Sequence, residues 1–116
     1  KVCFAYYAKT SKFSTLDKSL YGCEITHFYI EKRYFKSKKN NVQNMFNLVL
    51  DGILNYLKTK NTNIDNVIYK YDYAWFELKE EDYWFEEIIK VLYNNYNIET
   101  INKVHSKIYL VYKKDK

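Results

Sequence analysis

The chain has 116 residues, 47% of them hydrophobic, with two cysteines, no proline and a formal net charge of +5. That length fits one domain over residues 1–116 with a single core, and leaves too little chain for a second. Cys3 and Cys23 lack CxxC spacing, which excludes a disulfide framework, a zinc finger and a dithiol redox site; they read as core thiols or as one bridge between neighbouring strands.

In chain order, Val2–Ala8 is rich in strand formers, and the Ser/Thr/Lys run Lys9–Leu20 is expected to be a loop. Tyr21–Glu31 follows as a second strand, with Ile25, His27 and Tyr29 alternating against Thr26, Phe28 and Ile30. A tight turn at Lys32 and Arg33 then leads into a short third strand, Tyr34–Ser37, and the three strands make an antiparallel meander. Val42, Met45, Phe46, Val49, Leu50, Ile53 and Leu57 recur at three- and four-residue steps and predict a long amphipathic helix, capped by Asn40 or Asn41. Gly52 inside it is expected to be a close packing point.

After a spacer, Val67–Tyr73 reads as a strand at the sheet centre, reached by a βαβ-type crossover. The acidic run Glu80, Glu81, Asp82 opens a second helix whose apolar face holds Tyr83, Trp84, Ile88, Val91 and Leu92. Ile98–Val104 and Lys107–Tyr112 form either one long strand or a hairpin turning at His105–Ser106. The expected fold is therefore α/β, a mixed sheet with the order βββαβαβ and two helices. No run is long and apolar enough for a signal peptide or a membrane span, so a cytoplasmic location is expected.

Several short runs share their order with a known family. Tyr21-Gly22-Cys23 begins the second strand, Lys39-Asn40-Asn41 opens the helix, Val67–Asp72 is an apolar strand closed by a carboxylate, and Lys103-Val104-His105 follows the second helix. In this order the chain resembles the ribonuclease H family over almost its whole length. The resemblance implies a ribonuclease H-like fold and, in active members, two divalent cations held by several carboxylates, one activating water and the other stabilising the leaving oxygen.

Carried over by position, the first aspartate falls at Tyr7 and the helix glutamate at Asn44, while Asp72 and His105 match the third carboxylate and the histidine. Tyr7 and Asn44 cannot act as anionic ligands, so the resemblance implies a non-catalytic member, without metal or cofactor. Glu24, Asp51 and Glu77, or His27 paired with His105, show no spacing that rebuilds a metal centre. A rearranged metal-dependent nuclease around Asp72 is the remaining enzymatic alternative.

Charge points to a binding role. Residues 1–40 carry nine Lys or Arg against Asp17, Glu24 and Glu31. Aromatic residues interleave with these cations, which suits base stacking combined with phosphate contact. The expected function is a nucleic-acid-binding module acting through a basic, Tyr-rich N-terminal strand face, with Lys9, Lys12, Arg33, Lys36, Lys38, Lys39, Asn40 and Asn41 as the contacting residues. Its alternative is a small interaction protein, such as an inhibitor or immunity factor of phage or mobile-element origin, docking on an acidic or nucleic-acid-binding protein partner.

Overall fold

The computed structural model of the chain describes residues 4–14 and 19–114. Cys3, and with it the alternative of a bridge to Cys23, lies outside them, as do the first two residues of the expected strand Val2–Ala8. Cys23 itself is a buried free thiol, and burial pushes its pKa up.

Two long strands open the fold, β1 (Phe4–Ser14) and β2 (Ser19–Ile30), paired antiparallel from Phe4↔Ile30 to Ser14↔Ser19. The polar run expected as a loop is thus largely strand. Its alternate residues Ser11 and Phe13 turn inward, and Lys9 and Lys12 stay exposed, the usual composition of an edge strand.

Tyr34–Ser37, expected as a third strand, is instead part of a short helix, α1 (Lys32–Ser37). The Glu31 carboxylate accepts a hydrogen bond from the Tyr34 amide at 2.8 Å and caps its start, while Phe35 is buried. The cap overrides the strand propensity of Tyr34 and Phe35, so the three-strand meander does not form.

The long helix α2 (Lys39–Lys58) follows, burying Val42, Phe46, Leu50, Leu54 and Leu57 along one stripe. Its cap position is Lys38, without a side-chain cap, so Asn40 and Asn41 are in the first turn rather than capping it. A side-chain carbon placed on Gly52 would meet nothing within 4 Å, so this glycine borders open space and is not the expected packing point.

The expected central strand Val67–Tyr73 divides in two. Asp65 and Asn66 both take left-handed backbone angles, φ 52° and 67°, in a two-residue hairpin turn joining β3 (Thr62–Ile64) to β4 (Val67–Tyr69) as a small separate ribbon. The central strand is β5 (Tyr71–Leu78), whose Ala74, Trp75 and Phe76 are buried. Asp72 is therefore near its beginning, not its end.

A third helix, α3 (Phe85–Asn95), buries Ile88, Val91 and Leu92, and Glu80–Trp84 form the turns before it. The C-terminal runs resolve as a hairpin, β6 (Tyr96–Asn102) and β7 (Lys107–Lys113), closed by the Lys103 amide donating to the Ser106 carbonyl at 2.9 Å. The result is one α/β domain with three helices and a five-stranded mixed sheet in the order β1-β2-β5-β7-β6, beside the two-stranded ribbon. Among the described residues only β2 and β5 pair in parallel, joined by the expected crossover through α1 and α2. Among the described residues no helix is long and apolar enough to cross a membrane.

The helices cover one sheet face, where Cys23, Ile25, Ala74, Phe76, Leu78 and Val111 meet α2 and α3. The other face has a smaller cluster of Leu20, Trp75 and Leu110 with Phe13, Tyr73, Ile101 and Ile108. Tyr96 ties the layers together: its hydroxyl donates to Asp51 Oδ1 at 2.8 Å and lies 3.1 Å from Asn47 Oδ1. Burial, reinforced by the Asp51 carboxylate, pushes its pKa far above the ordinary tyrosine value.

Two predictions follow from these contacts. At Gly22 an added Cβ would stand 1.7 Å from the Tyr73 carbonyl oxygen. Gly22→Ala is expected to lower the unfolding free energy by about 1–3 kcal/mol in urea titrations. The neutral Tyr96 hydroxyl contributes stability that is complete below the unfolded pKa of about 10 and is lost as pH rises from there through the folded value. Tyr96→Phe is expected to cost about 1.5–3 kcal/mol at neutral pH and to flatten the decline of stability above that pH.

Candidate functional site

The phase of β2 changes in its second half. Cys23 and Ile25 face the helices, as do Phe28 and Ile30, so one extra residue must be absorbed between the two pairs. His27 absorbs it at φ 54°, and the ladder shifts register there, from Tyr7↔Thr26 to Ala5↔Tyr29. Such a bulge re-aims a side chain and keeps a non-glycine residue in a costly backbone region. The exposed His27 ring meets Tyr7 edge-on, with centroids 6.3 Å apart.

Beside the bulge, the parallel ladder ends early. β2 and β5 pair from Tyr21↔Tyr71 to Glu24↔Trp75 and no further. Yet β2 continues with β1 as far as Ile30, and β5 continues with β7 as far as Leu78. The two strands therefore part at their carboxyl ends, leaving the backbone groups of alternate residues, those turned away from β1 and β7, facing a gap that no described strand closes.

That gap is a crevice of about 480 Å³. Glu24, Thr26 and His27 line it from β2, Trp75 and Glu77 from β5, and Lys79, Asp82 and Trp84 from the turns before α3. In open α/β sheets, the carboxyl ends of parallel strands are the ordinary position of a ligand.

The polar groups of the crevice differ in engagement. Lys103 donates to Glu77 at 2.9 Å, which with Ser106 holds that carboxyl below its usual range; both partners are exposed, so the pair adds little stability. Glu24 and Asp82 have no side-chain hydrogen bond or ion pair among the described residues. The Trp84 indole N–H is buried without a hydrogen-bond partner there.

Across the Tyr83 and Trp84 rings from the crevice stands the corner of α1 and α2. Lys32, Arg33, Lys36, Lys38 and Lys39 are all exposed and form no ion pair among the described residues. Lys36–Asn41 line a shallow depression of about 390 Å³ at the uncapped helix start. The corner adjoins the crevice through a chain of aromatic rings. Lys32 Nζ lies 5.9 Å from the Tyr83 ring centroid, Phe35 and Tyr83 are 5.4 Å apart, and Tyr83 and Trp84 are 4.8 Å apart. The Tyr83 hydroxyl donates to the Ile30 carbonyl at the end of β2.

Of the residues expected to contact nucleic acid, Arg33, Lys36, Lys38, Lys39, Asn40 and Asn41 meet at this corner. They do so on two helices, not on a strand face. Lys9 and Lys12 do not join them: opposite Glu24 and Tyr21, they stand about 20 and 30 Å along β2 from Ile30.

Tyr7, Asn44 and Asp72 do not converge. Tyr7 pairs with Thr26, about 15 Å along the sheet from the Tyr21–Gly22 step beside Asp72. Asp72 shares a recess with Leu54 and Lys58, and Asn44 is ten residues, or about 15 Å, up α2 from Leu54. His105 is in the β6–β7 turn, at the opposite end of the sheet from Asp72. Asp51 is engaged by Tyr96, and no group of three metal-ligating side chains occurs among the described residues.

Glu24, His27 and Glu77 do share a site, but it is the crevice and not the surroundings of Asp72. Trp84 and Lys103 were legible only as a helix-face residue and as part of a motif. No family model matches the chain, and neither does any curated protein or solved structure. Because His27 occupies a left-handed conformation, His27→Gly is expected to raise the unfolding free energy by about 0.5–1 kcal/mol, measured by urea denaturation.

Proposed function

We propose that the chain binds an elongated, phosphate-bearing carrier of the chemical class of coenzyme A, with its phosphates on the α1–α2 corner and its amide-bearing arm between β2 and β5. The observation that carries this reading is the early end of the β2–β5 ladder, with the corner cations beyond the Tyr83–Trp84 ring pair that borders the gap.

A compact anion would use the corner alone. An extended chain with amide groups is the ligand that can take up unpaired backbone donors and acceptors on both walls, as a further strand would. The gap runs alongside four residue steps of β2 and three of β5, about 10–13 Å. Exposed lysines and an arginine around a helix start suit a diphosphate or a phosphorylated ribose at the other end.

The arm of such a ligand would end where the strands close, at Glu24 and Trp75. The Glu24 carboxylate, free of partners among the described residues, can there accept a proton from an amine or hydroxyl. With a thioester carrier this supports acyl transfer: the acceptor atom bonds to the acyl carbon, the carbon–sulfur bond breaks, and the leaving thiolate is protonated.

A second reading keeps the corner and leaves the crevice without a role. Arg33, Lys36, Lys38 and Lys39 stand exposed and unpaired among the described residues beside Asn40 and Asn41, the helix start that the ribonuclease H resemblance sets against a nucleic-acid backbone. Binding there would be non-catalytic and dominated by phosphate contacts.

Calorimetric titration separates the two. Coenzyme A is expected to bind, and the triple variant Lys36→Ala, Lys38→Ala, Lys39→Ala to bind it at least tenfold more weakly. Pantetheine, which lacks the phosphates, is expected to bind as weakly to wild type as coenzyme A does to the triple variant. Inert coenzyme A, together with salt-dependent binding of duplex or hybrid that the same triple variant loses, would replace the carrier with nucleic acid.

A further inference from the structure

One edge of the main sheet is long and bare. β1 pairs with β2 from Phe4 to Ser14, and no described strand takes its other side, so alternate residues along it turn backbone N–H and C=O groups outward. The bulge at His27 belongs to β2, and β1 itself alternates without a break. Phe4, Ala8 and Lys12 are thus on the helix side of the sheet, and Tyr7, Lys9 and Phe13 on the opposite side.

Any strand added here has to accommodate Lys9 and Lys12, since lysines on an edge oppose pairing. When the added strand is an antiparallel copy of β1 related by a twofold axis, the residue on the axis faces itself and fixes every other pair. With Ala8 on the axis, Lys9 stands opposite Tyr7 and Lys12 opposite Phe4, on the two faces of the sheet, and Tyr6 stands opposite Thr10. Each lysine then meets an aromatic ring. No other centre along β1 gives both of them one: with Lys9 on the axis like charges coincide, and with Tyr7 on it Lys9 meets Ala5.

The helix layer above this edge is bare as well. Leu48 and Tyr56 of α2, 71% and 56% exposed, flank Gly52 beside a recess of about 550 Å³ lined on the strand side by Tyr6, Ala8 and Thr10. A lone strand would pair with the edge and leave this apolar wall in water. A second copy of the chain brings both layers, because a twofold axis perpendicular to the sheet keeps the two α2 helices on the same side. The partner's Tyr6, opposite Thr10, then comes beneath the recess. We propose that β1 pairs with β1 of a second copy of this chain, antiparallel about Ala8, and continues the sheet across a dimer.

Sedimentation equilibrium at about 100 µM, a concentration that populates even micromolar dimers, is expected to give wild type at twice the 14.2 kDa chain mass. Tyr7→Lys sets like charges opposite Lys9 in both copies and is expected to weaken the dimer about tenfold. Tyr7 is exposed, so circular dichroism is expected to stay unchanged. Adding Lys9→Glu to Tyr7→Lys is expected to restore the dimer. In a Cys3→Ser background, where Cys23 is buried, Ala8→Cys is expected to link the two chains through a disulfide, because facing residues of an antiparallel pair have Cα atoms about 4.5–5.5 Å apart. Thr10→Cys, opposite Tyr6, is expected not to. A monomeric wild type would overturn the proposal in favour of a strand from another protein. A dimer that Tyr7→Lys leaves intact, or that Ala8→Cys fails to link, would overturn it too.

Discussion

The pairing of β2 with β5 is the constraint on which the other parts of the molecule depend. Among the described residues it is the only parallel pair in the main sheet, it joins the β1–β2 hairpin to the C-terminal strands, and the crossover that makes it possible contains the whole α1–α2 unit. It is also short, ending at Glu24↔Trp75. Gly22 permits the close approach at its start, with the Tyr73 carbonyl oxygen where any side chain would be. Beyond Glu24, the bulge at His27 turns β2 so that Phe28 and Ile30 rejoin the helix-facing core. Tight contact at one end and divergence at the other make a wedge-shaped opening, while β1–β2 and β5–β7 pairing continues on either side of it.

The helices hold this wedge open. Phe28 is in ring contact with Phe46 of α2, Phe76 of β5 and Trp84 before α3, so the aromatic core fills one side of the parted strands. The Tyr96 hydroxyl fixes β6 to α2 through Asp51 and Asn47, and the side chains of Asn95 and Gln43 add hydrogen bonds between α3 and α2. The parted strands are thus backed by a helical layer with its own cross-links. A site between rigid elements needs less ordering when a ligand arrives.

What the sequence reveals follows from the range of the interactions involved. The stripe on α2 is local, and Val42, Phe46, Leu50 and Leu57 announce it; Leu54 joins it in the folded helix. The turn at Asp65-Asn66 is equally local but falls within the expected spacer, and the apolar letters of Val67–Tyr69 draw the central strand four residues too early. At α1, Tyr34 and Phe35 favour a strand by propensity, while the folded chain follows the Glu31 cap. The Ser/Thr/Lys run after Ala8 looked like a loop because its partner, the first half of β2, supplies the reason for it to be a strand. The alternation expected through Ile25–Ile30 breaks between Ile25 and Phe28, because the bulge at His27 takes up one residue. The crevice is not visible in the letters, because the point where a ladder stops is a property of two strands far apart in sequence, and no motif records it.

The two tryptophans sit on either side of that boundary. Trp75 is 4% exposed beneath Phe13, with centroids 5.3 Å apart, and borders the crevice from β5. Trp84 lines the crevice with an indole N–H that has no acceptor among the described residues. A molecule entering the gap with a carbonyl oxygen in reach would complete that hydrogen bond and alter the polarity around the ring. Tryptophan emission therefore follows occupancy of the space between the strands as well as folding, with the larger change expected from Trp84.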